Sequence, residues 1–231
     1  NYQKQINQDF GFSVAYNFSV IKNKMTELNG VDYIGLSSSE LHGRNFDQET
    51  SRSAVGQPIG SFFVYEADGL FQSDAEIQNY KNDRGELLQP NAKPGDIRFK
   101  DLNGDGVINS DDRDFKGSPL PDCSMGLTLG FNYKNFDVSA FFQGVFGNEV
   151  YNLTNYLGEF YNQAQYNKNS TILDAWRPDN TDTDIPRVTL DDPNNNIRPS
   201  TYYIHNASFV RLKNLKVGYT LPDKVASKLK L

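Results

Sequence analysis

The chain of 231 residues is long enough to bury a core, either as one β domain or as two small domains. Its 16 Phe, 13 Tyr and 18 Gly favour strands joined by turn-rich loops, which predicts an all-β protein. The net charge of −6 excludes a nucleic-acid binder, because neutralising phosphates requires a basic surface.

No apolar run approaches the roughly 20 residues of a membrane-spanning helix, and no signal peptide is recognised at the start. Membrane-spanning β-strands would escape that test. The first clear element is residues 9–21, which alternate strictly between large apolar and small or polar side chains. This period of two predicts a strand with its apolar face against lipid, as in a membrane barrel, or against the core of a soluble sandwich.

Residues 22–54 show no clean period. Residues 55–72 mix Gly and Pro with aromatic residues and predict one strand, or a hairpin broken near Asp68-Gly69. Residues 73–81 predict a helical turn capped by Ser73, with Glu76 three residues later. The segment 89–100 contains Pro and Gly and reads as an extended connector.

The segment 101–112, DLNGDGVINSDD, is the most chemically specific stretch of the chain. Gly106 stands at the sixth position, where a calcium loop turns sharply, and oxygen donors recur at the spacing of such loops. The predicted calcium ligands are Asp101, Asn103, Asp105, the backbone carbonyl of Val107, Asn109 and Asp112. EF-hand loops carry Glu where this loop has Asp112, and Ile108 is expected to pack the loop against its neighbours. The alternative is a string of Asx turns without metal.

Residues 123–133 and 136–147 alternate again and predict a hairpin closed by Lys134-Asn135, with Asn135 tolerating positive φ. Residues 148–201 have no long periodic run, which indicates a functional loop. Within that loop, Trp176 is a candidate contact for substrate or partner, although packing of the loop is the preferred interpretation. Residues 202–220 predict a fourth strand.

The connections between these strands differ in length. Long regions, 22–122 and 148–201, leave one end of the predicted sheet, whereas Lys134-Asn135 is a tight turn at the other end. Outer-membrane barrels show this asymmetry, with short periplasmic turns and long extracellular loops. A soluble sandwich has no reason to keep it.

The single cysteine, Cys123, excludes an intramolecular disulfide and is expected to be a half-buried packing residue. His42 and His205 are the only histidines, and neither lies in a recognisable catalytic motif, so both are expected in loops or at the surface. Arg211, Lys213 and Lys216 are expected to be solvated or interfacial charges. No enzyme is predicted.

Several segments, taken in order, resemble the SusC/RagA-type TonB-dependent outer-membrane transporters. The match is dense from about residue 55 onward and weaker before it. It is carried by VGQPIGSFFVYEADGLFQ (55–72), KPGDIRFKDLNGDGVINSDDRD (93–114), GSPLPD (117–122), LGFNYKNFDVSAFFQGVFGNEVYN (129–152), WRPDN (176–180) and ASFVRLKNLKVGYTLP (207–222).

The resemblance implies that residues 1–231 are an antiparallel meander forming part of a large transmembrane β-barrel, too short to close alone. It implies an outer-membrane importer of oligosaccharides, with peptides as the second choice, and extracellular loops. The implied partners are a SusD-like lipoprotein lid, TonB acting through an absent N-terminal part, and membrane lipid. A fragment of this kind is expected to pair its open edges with another copy or to need the missing strands.

The alternative function is a secreted, calcium-stabilised β module that binds glycans or proteins. A single calcium loop argues against a dockerin, which needs two paired loops. In the transporter, structural Ca²⁺ at 101–112 would brace an extracellular loop where it enters the barrel wall, without a part in transport chemistry.

Overall fold

A computed structural model describes residues 1–37, 49–160 and 167–229. Its strands are β1 (Tyr2–Gln5), β2 (Phe10–Val20), β3 (Tyr33–Ser37), β4 (Glu49–Ala54), β5 (Ser61–Tyr65), β6 (Ala67–Leu70), β7 (Ile97–Phe99), β8 (Arg113–Phe115), β9 (Cys123–Tyr133), β10 (Phe136–Phe146), β11 (Glu149–Tyr151), β12 (Ile204–Asn206) and β13 (Phe209–Tyr219). The helices are α1 (Asp74–Asn79), α2 (Leu153–Glu159) and α3 (Asp223–Leu229). Short 3-10 helices cover Ser110–Asp112, Ser170–Asp174 and Thr201–Tyr203.

The chain divides into two compact units, which we call the sheet unit (1–22, 120–148 and 206–231) and the loop unit (23–119 and 149–205). Within the described residues, no helix combines the length and apolar character needed to cross a membrane.

The sheet unit is one antiparallel sheet in the order β1-β2-β9-β10-β13. The all-β antiparallel meander predicted from the sequence is confirmed, and the sheet is open, with β1 and β13 at its edges. Strands β2, β9, β10 and β13 each have 11 residues. They lie where periodicity predicts strands, except that the predicted strand 202–220 is two strands. The break at Ala207 and Ser208 follows from their bonds, since the Ala207 N–H donates to Asn148 O and the Ser208 N–H to the Asn206 side chain.

The β9–β10 hairpin has the predicted two-residue turn, but the residue with positive φ is Lys134 (φ 51°), not Asn135. Asn135 has a different role, because its side-chain amide donates to Thr220 O at 2.8 Å while its own carbonyl accepts from the Thr220 N–H. The turn therefore ties β10 to the end of β13 as well as to β9.

The loop unit is more ordered than the sequence predicts. The region 22–122 holds β3 to β8 and helix α1, with sheet order β3-β4-β5-β8 and a separate β6-β7 pair. The strand or hairpin predicted over 55–72 is wrong, because β5 and β6 are separated at Glu66 and pair with different partners. The helical turn after Ser73 is confirmed, with the Ser73 hydroxyl accepting from the Glu76 N–H.

The core of the loop unit is aromatic. Its buried members come from segments far apart in sequence, namely Leu70, Ile97, Phe99, Phe160, Trp176, Ile197 and Tyr203. Ile108 packs against this cluster, as its position in the 101–112 segment predicts. The region 148–201, read from the sequence as one long functional loop, therefore supplies a large part of a packed core.

Candidate functional site

The first candidate site is the apolar face of the five-stranded sheet. The strand registers place most of the large apolar side chains of the four long strands on this one face, and only Phe141, Val145 and Phe209 of these strands lie on the other. The apolar face remains exposed, with Val217 at 68%, Val20 at 62% and Leu215 at 58%. Its other exposed members are Tyr2, Tyr16, Phe18, Phe131, Tyr133, Phe136, Val210, Leu212 and Tyr219. A contiguous apolar surface of this extent marks a membrane or interaction surface rather than a water-facing one.

The end of this face next to the hairpin turn is aromatic. Tyr133 pairs with both Phe10 and Phe136, and the Phe136 ring lies 4.6 Å from the ring of Tyr219. Lys134 holds its Nζ 5.4 Å from the centre of the Tyr133 ring. Aromatic side chains with a polar or charged neighbour suit the boundary between an apolar layer and water.

The opposite face of the same sheet carries mostly small and polar side chains, with Phe141, Val145 and Phe209 as its large apolar members. It carries hydroxyl and amide side chains from every strand, including Ser13, Asn17, Thr128, Asn132, Ser139, Gln143 and Asn214. Its charged groups are fewer, namely Asp137, Arg211 and Lys216. Arg211 is exposed, donates to Gln143 Oε1 at 3.2 Å and lies 4.6 Å above the Phe209 ring. The Lys213 and Lys216 side chains are likewise exposed.

The second candidate site is the 101–112 segment, where side-chain oxygens accept bonds from nearby backbone N–H groups. Asp101 accepts from Gly104 at 2.7 Å and Gly106 at 2.8 Å. Asp105 accepts from the Val107 N–H at 2.8 Å, and this bond is the main reason why its pKa lies below the usual value. Gly104 and Gly106 have positive φ, which lets the backbone curl around these carboxylates.

Asp112 is fully buried and accepts three backbone N–H groups, from Leu102, Asn103 and Asn109. Asn109 caps the short helix that contains Asp112. In the described residues, no group of three or more His, Cys, Asp or Glu side chains is gathered as a metal site. The donor types suit Ca²⁺, but in this conformation both oxygens of Asp112 are engaged by the backbone, so calcium at Asp101, Asn103, Asp105, Val107, Asn109 and Asp112 stays a prediction.

Trp176, the candidate contact residue, is only 8% exposed and belongs to the aromatic core. Its indole N–H donates to Gln72 Oε1 at 2.9 Å, and a Cβ built on Gly95 would come within 2.5 Å of its ring. The ring is therefore packed on the backbone of residue 95. This burial supports the packing interpretation and does not support a direct contact with substrate or partner.

Cys123 is half-buried, as predicted, and His205 is exposed. His42 lies outside the described residues. Neither Cys123 nor His205 has a hydrogen-bond partner of the kind that activates a nucleophile or a base among the bonds of the described chain.

Comparisons with known proteins agree with this geometry. No family model matches the chain. The chain is 38% identical over 222 residues to TonB-dependent receptor P3 of Formosa agariphila, covering 96% of this chain and 21% of that protein. It is 28% identical over 222 residues to TonB-dependent receptor SusC of Bacteroides thetaiotaomicron, covering 94% and 19%. A solved structure of the RagAB peptide transporter superposes with a TM-score of 0.67 at 25% identity, over 96% of this chain and 22% of that one.

The chain belongs to the SusC/RagA-type TonB-dependent receptors. It spans about a fifth of the length of the curated relatives that it matches. A further structure, the RagAB peptide importer in its open-open state, has a TM-score of 0.68 at 23% identity and so supports the fold alone.

In this receptor segment, the sequence analysis missed a buried polar network centred on Asp96. Asp96, from KPGD, is fully buried and pairs with Arg187, whose Nε donates to Oδ1 at 2.7 Å. The Asn196 side-chain amide also donates to Asp96 Oδ1, at 3.0 Å. The Asp96 carboxylate therefore binds two segments that lie 91 and 100 residues further along the chain.

Side chains of the same network form hydrogen bonds with the edge of β7 that has no neighbouring strand among the described residues. One edge of β7 pairs with β6, and on its other edge the Ile97 N–H donates to Asn196 Oδ1, and the Phe99 N–H to Gln89 Oε1. Gln89 returns an amide N–H to Ile97 O at 3.0 Å. The one sequence feature that could have indicated this network is the run of three Asn residues at 194–196. Its composition is typical of a loop, but an Asn side chain has the same N–H donor and C=O acceptor as a peptide group and can therefore pair with a strand edge.

Proposed function

We propose that this receptor segment forms part of the wall of an outer-membrane importer, with the apolar face of the sheet unit against lipid. The carrying observation is that face, which stays exposed across five strands. Eleven-residue strands at about 3.3 Å per residue, tilted near 45°, cover roughly 25 Å, the height of the apolar band of membrane barrels. In a secreted soluble module, the alternative, this face would need a covering layer.

The polar face is the side of the wall that would line the aqueous path. Its hydroxyl and amide side chains can both donate and accept hydrogen bonds, which suits a neutral, hydroxyl-rich solute. Oligosaccharides are therefore the first choice of nutrient. Peptides are the second choice, favoured by the likeness to the solved RagAB peptide transporter.

The partners of this importer are proposed with it. A SusD-like lipoprotein would cover the barrel, and TonB would act through parts of the protein outside this segment. The strand ends that carry the long connections would face the cell exterior, and the Lys134-Asn135 turn would face the periplasm.

The test uses the full-length protein in its own cells. We expect it in the outer-membrane fraction, extracted only by detergent, and we expect a deletion strain to lose uptake of a labelled nutrient. Comparing labelled oligosaccharides with labelled peptides in the wild-type and deletion strains separates the two substrate classes. Recovery of the full-length protein in soluble form without detergent, or uptake of both classes unchanged by the deletion, would overturn the proposal.

We also propose that Ca²⁺ braces the 101–112 segment. Carboxylate and amide oxygens are the donors that hard cations take, and an ion there would add stiffness without taking part in transport. Calorimetry with Ca²⁺ on the full-length protein should give a binding heat that an Asp101→Ala, Asp105→Ala double variant loses. Asp74→Ala, an exposed carboxylate outside the segment, is the matched control. Equal heats from the double variant and the wild type would remove calcium from this segment.

A further inference from the structure

A small cavity of about 190 Å³ opens in the loop unit beside strands β6 and β7. Its buried members are apolar, with Ile97 1% and Leu70 8% exposed, and Ala67 adds a third aliphatic contact. Its exposed members are Gly69 and Asp184. A cavity of about 150 Å³ is enough for a benzene-sized group, so this one can take the aliphatic part of a side chain.

The charged group that lines this cavity is a carboxylate, Asp184. Asp184 takes part in none of the ion pairs or hydrogen bonds formed among the described residues. A second carboxylate, Glu159, lies behind the wall formed by Tyr202 and accepts the Tyr202 hydroxyl at 2.6 Å. Burial is the largest cause that raises the pKa of Tyr202, and the charges of Glu159 and Asp184 raise it further.

Gly69 lies at the exposed rim of the cavity. Its φ is +78°, and a Cβ built there would meet nothing within 4 Å. The bond from the Ala67 N–H to Thr201 Oγ1, 2.9 Å long, fixes β6 to the segment that carries Tyr202. The cavity walls are thus held by the fold rather than formed on binding.

We propose that this cavity binds a linear aliphatic chain that ends in a cation, as in a lysine or arginine side chain of a polypeptide. The aliphatic stem would lie against Leu70 and Ile97, and the cationic head would reach Asp184 at the rim. This arrangement follows the usual behaviour of long cationic side chains, which bury the stem and keep the charge near water. This proposal does not depend on which nutrient is imported, because it concerns binding to a cavity of the loop unit that is measured directly.

The first test titrates the full-length protein with N-acetyl-lysine methylamide by ligand-observed NMR. The matched probe is N-acetyl-norleucine methylamide, which has the same aliphatic stem without the ammonium group. We expect the lysine probe to bind more tightly, and its affinity to fall as salt rises because the contact with Asp184 is exposed. Equal affinity for the two probes would overturn the proposal.

The second test compares variants. Asp184→Asn keeps the shape of the side chain and should weaken the lysine probe about fivefold while leaving the norleucine probe unchanged. Asp182→Asn removes an exposed carboxylate two residues away that does not line the cavity, and should change neither affinity. An equal loss in both variants, or no loss in Asp184→Asn, would assign the binding to general charge or to another site and overturn the proposal.

Competition experiments identify the source of the cation. A short lysine-containing peptide that displaces the probe would point to peptides in solution, and the purified lid lipoprotein displacing it would point to a partner side chain. Displacement by either one supports the pocket, whereas a bound probe that both leave in place would overturn a polypeptide ligand.

Discussion

The two units of this receptor segment bury their residues in opposite ways. The sheet unit exposes most of its large apolar side chains, such as Val217, on one face and carries mostly small and polar ones on the other. The loop unit encloses an aromatic core and closes it with buried polar groups, among them the fully buried Asp96 and Asn196. This contrast is what the proposed position of the sheet face against lipid requires, because lipid accepts an apolar surface while water favours a closed core in which buried polar groups are hydrogen-bonded.

The largest test of this contrast removes the carboxylate at the centre of the loop unit. Asp96→Ala would leave Arg187 without its partner and Asn196 without an acceptor, and breaking one partner of a buried ion pair costs about 3–5 kcal/mol. In the full-length protein, hydrogen exchange of residues 89–99 and 187–198 should accelerate by roughly two to four orders of magnitude, with β9 and β10 unchanged.

Asp191→Ala is the control for that variant, since Asp191 is an exposed carboxylate near the same segment. In this control variant, the free energy of opening obtained from hydrogen exchange should stay within about 0.5 kcal/mol of the wild-type value. If Asp96→Ala behaved like Asp191→Ala, the buried network would not be what holds the loop unit together.

The second test places a charge on each face of one strand. Leu215, 58% exposed, pairs with Ala140 near the middle of the apolar face, and Asn214 lies on the polar face beside it. Against lipid, Leu215→Arg should cost about 2–4 kcal/mol, whereas an exposed leucine in water could be replaced at little cost. We expect lower outer-membrane abundance and a lower unfolding temperature in detergent for Leu215→Arg, and values close to wild type for Asn214→Arg.

Equal tolerance of both substitutions would mean that the apolar face does not meet lipid. Equal damage would mean that β13 is sensitive to any added charge, and would leave the two faces indistinguishable. The comparison therefore depends on the difference between the two variants rather than on either one alone.

The sheet unit could be predicted from the sequence because its strands and their pairing follow from short-range patterns of apolar and polar residues. Alternation over 9–21, 123–133 and 136–147 specifies strands, faces and pairing, since register follows the period of two and the short turn at Lys134-Asn135. The sequence could not predict which of the two turn residues takes positive φ. The Asn135 side chain bonds Thr220 O, which lies 85 residues away, and no local pattern indicates this contact.

The loop unit could not be predicted in the same way because its bonds are distant and aperiodic. Gln89, Asn194 and Asn196 act as a substitute strand for β7, and no local pattern separates such amides from ordinary loop residues. The Asx-rich turn at 101–112 could be located from spacing. The burial of Asp112 could not, because it depends on backbone N–H groups that only the folded loop presents.

The third test concerns the contact between KPGD and WRPDN. Gly95 has φ +88°, and a Cβ there would lie 2.5 Å from the Trp176 ring and 2.8 Å from Arg187 Cβ. Gly85 has a similar φ of +80° with nothing near its Cβ, so Gly85→Ala carries only the backbone cost. Gly95→Ala should destabilise the loop unit by about 1–3 kcal/mol more than Gly85→Ala does, which is the usual cost of overpacking. Hydrogen exchange of the loop unit measures this difference. Equal effects would show that Trp176 can move away from residue 95.

The smallest expected effect is a pH dependence of the loop unit at its surface ion pairs. Lys100 and Lys116 donate to the two oxygens of Glu66, and these bonds, that of Lys100 first, hold the pKa of Glu66 below its usual value. A lowered carboxylate pKa contributes stability that is present above the unfolded value and lost as pH falls through the folded one. Below about pH 4.3 the loop unit should therefore weaken, and only slightly, because these charged groups are partly exposed to solvent. Hydrogen exchange corrected for its intrinsic pH dependence should show this loss in 61–70 and 97–116, and Glu66→Gln should remove it. A loss of the same size in Glu66→Gln would assign the acid sensitivity to other carboxylates of the loop unit.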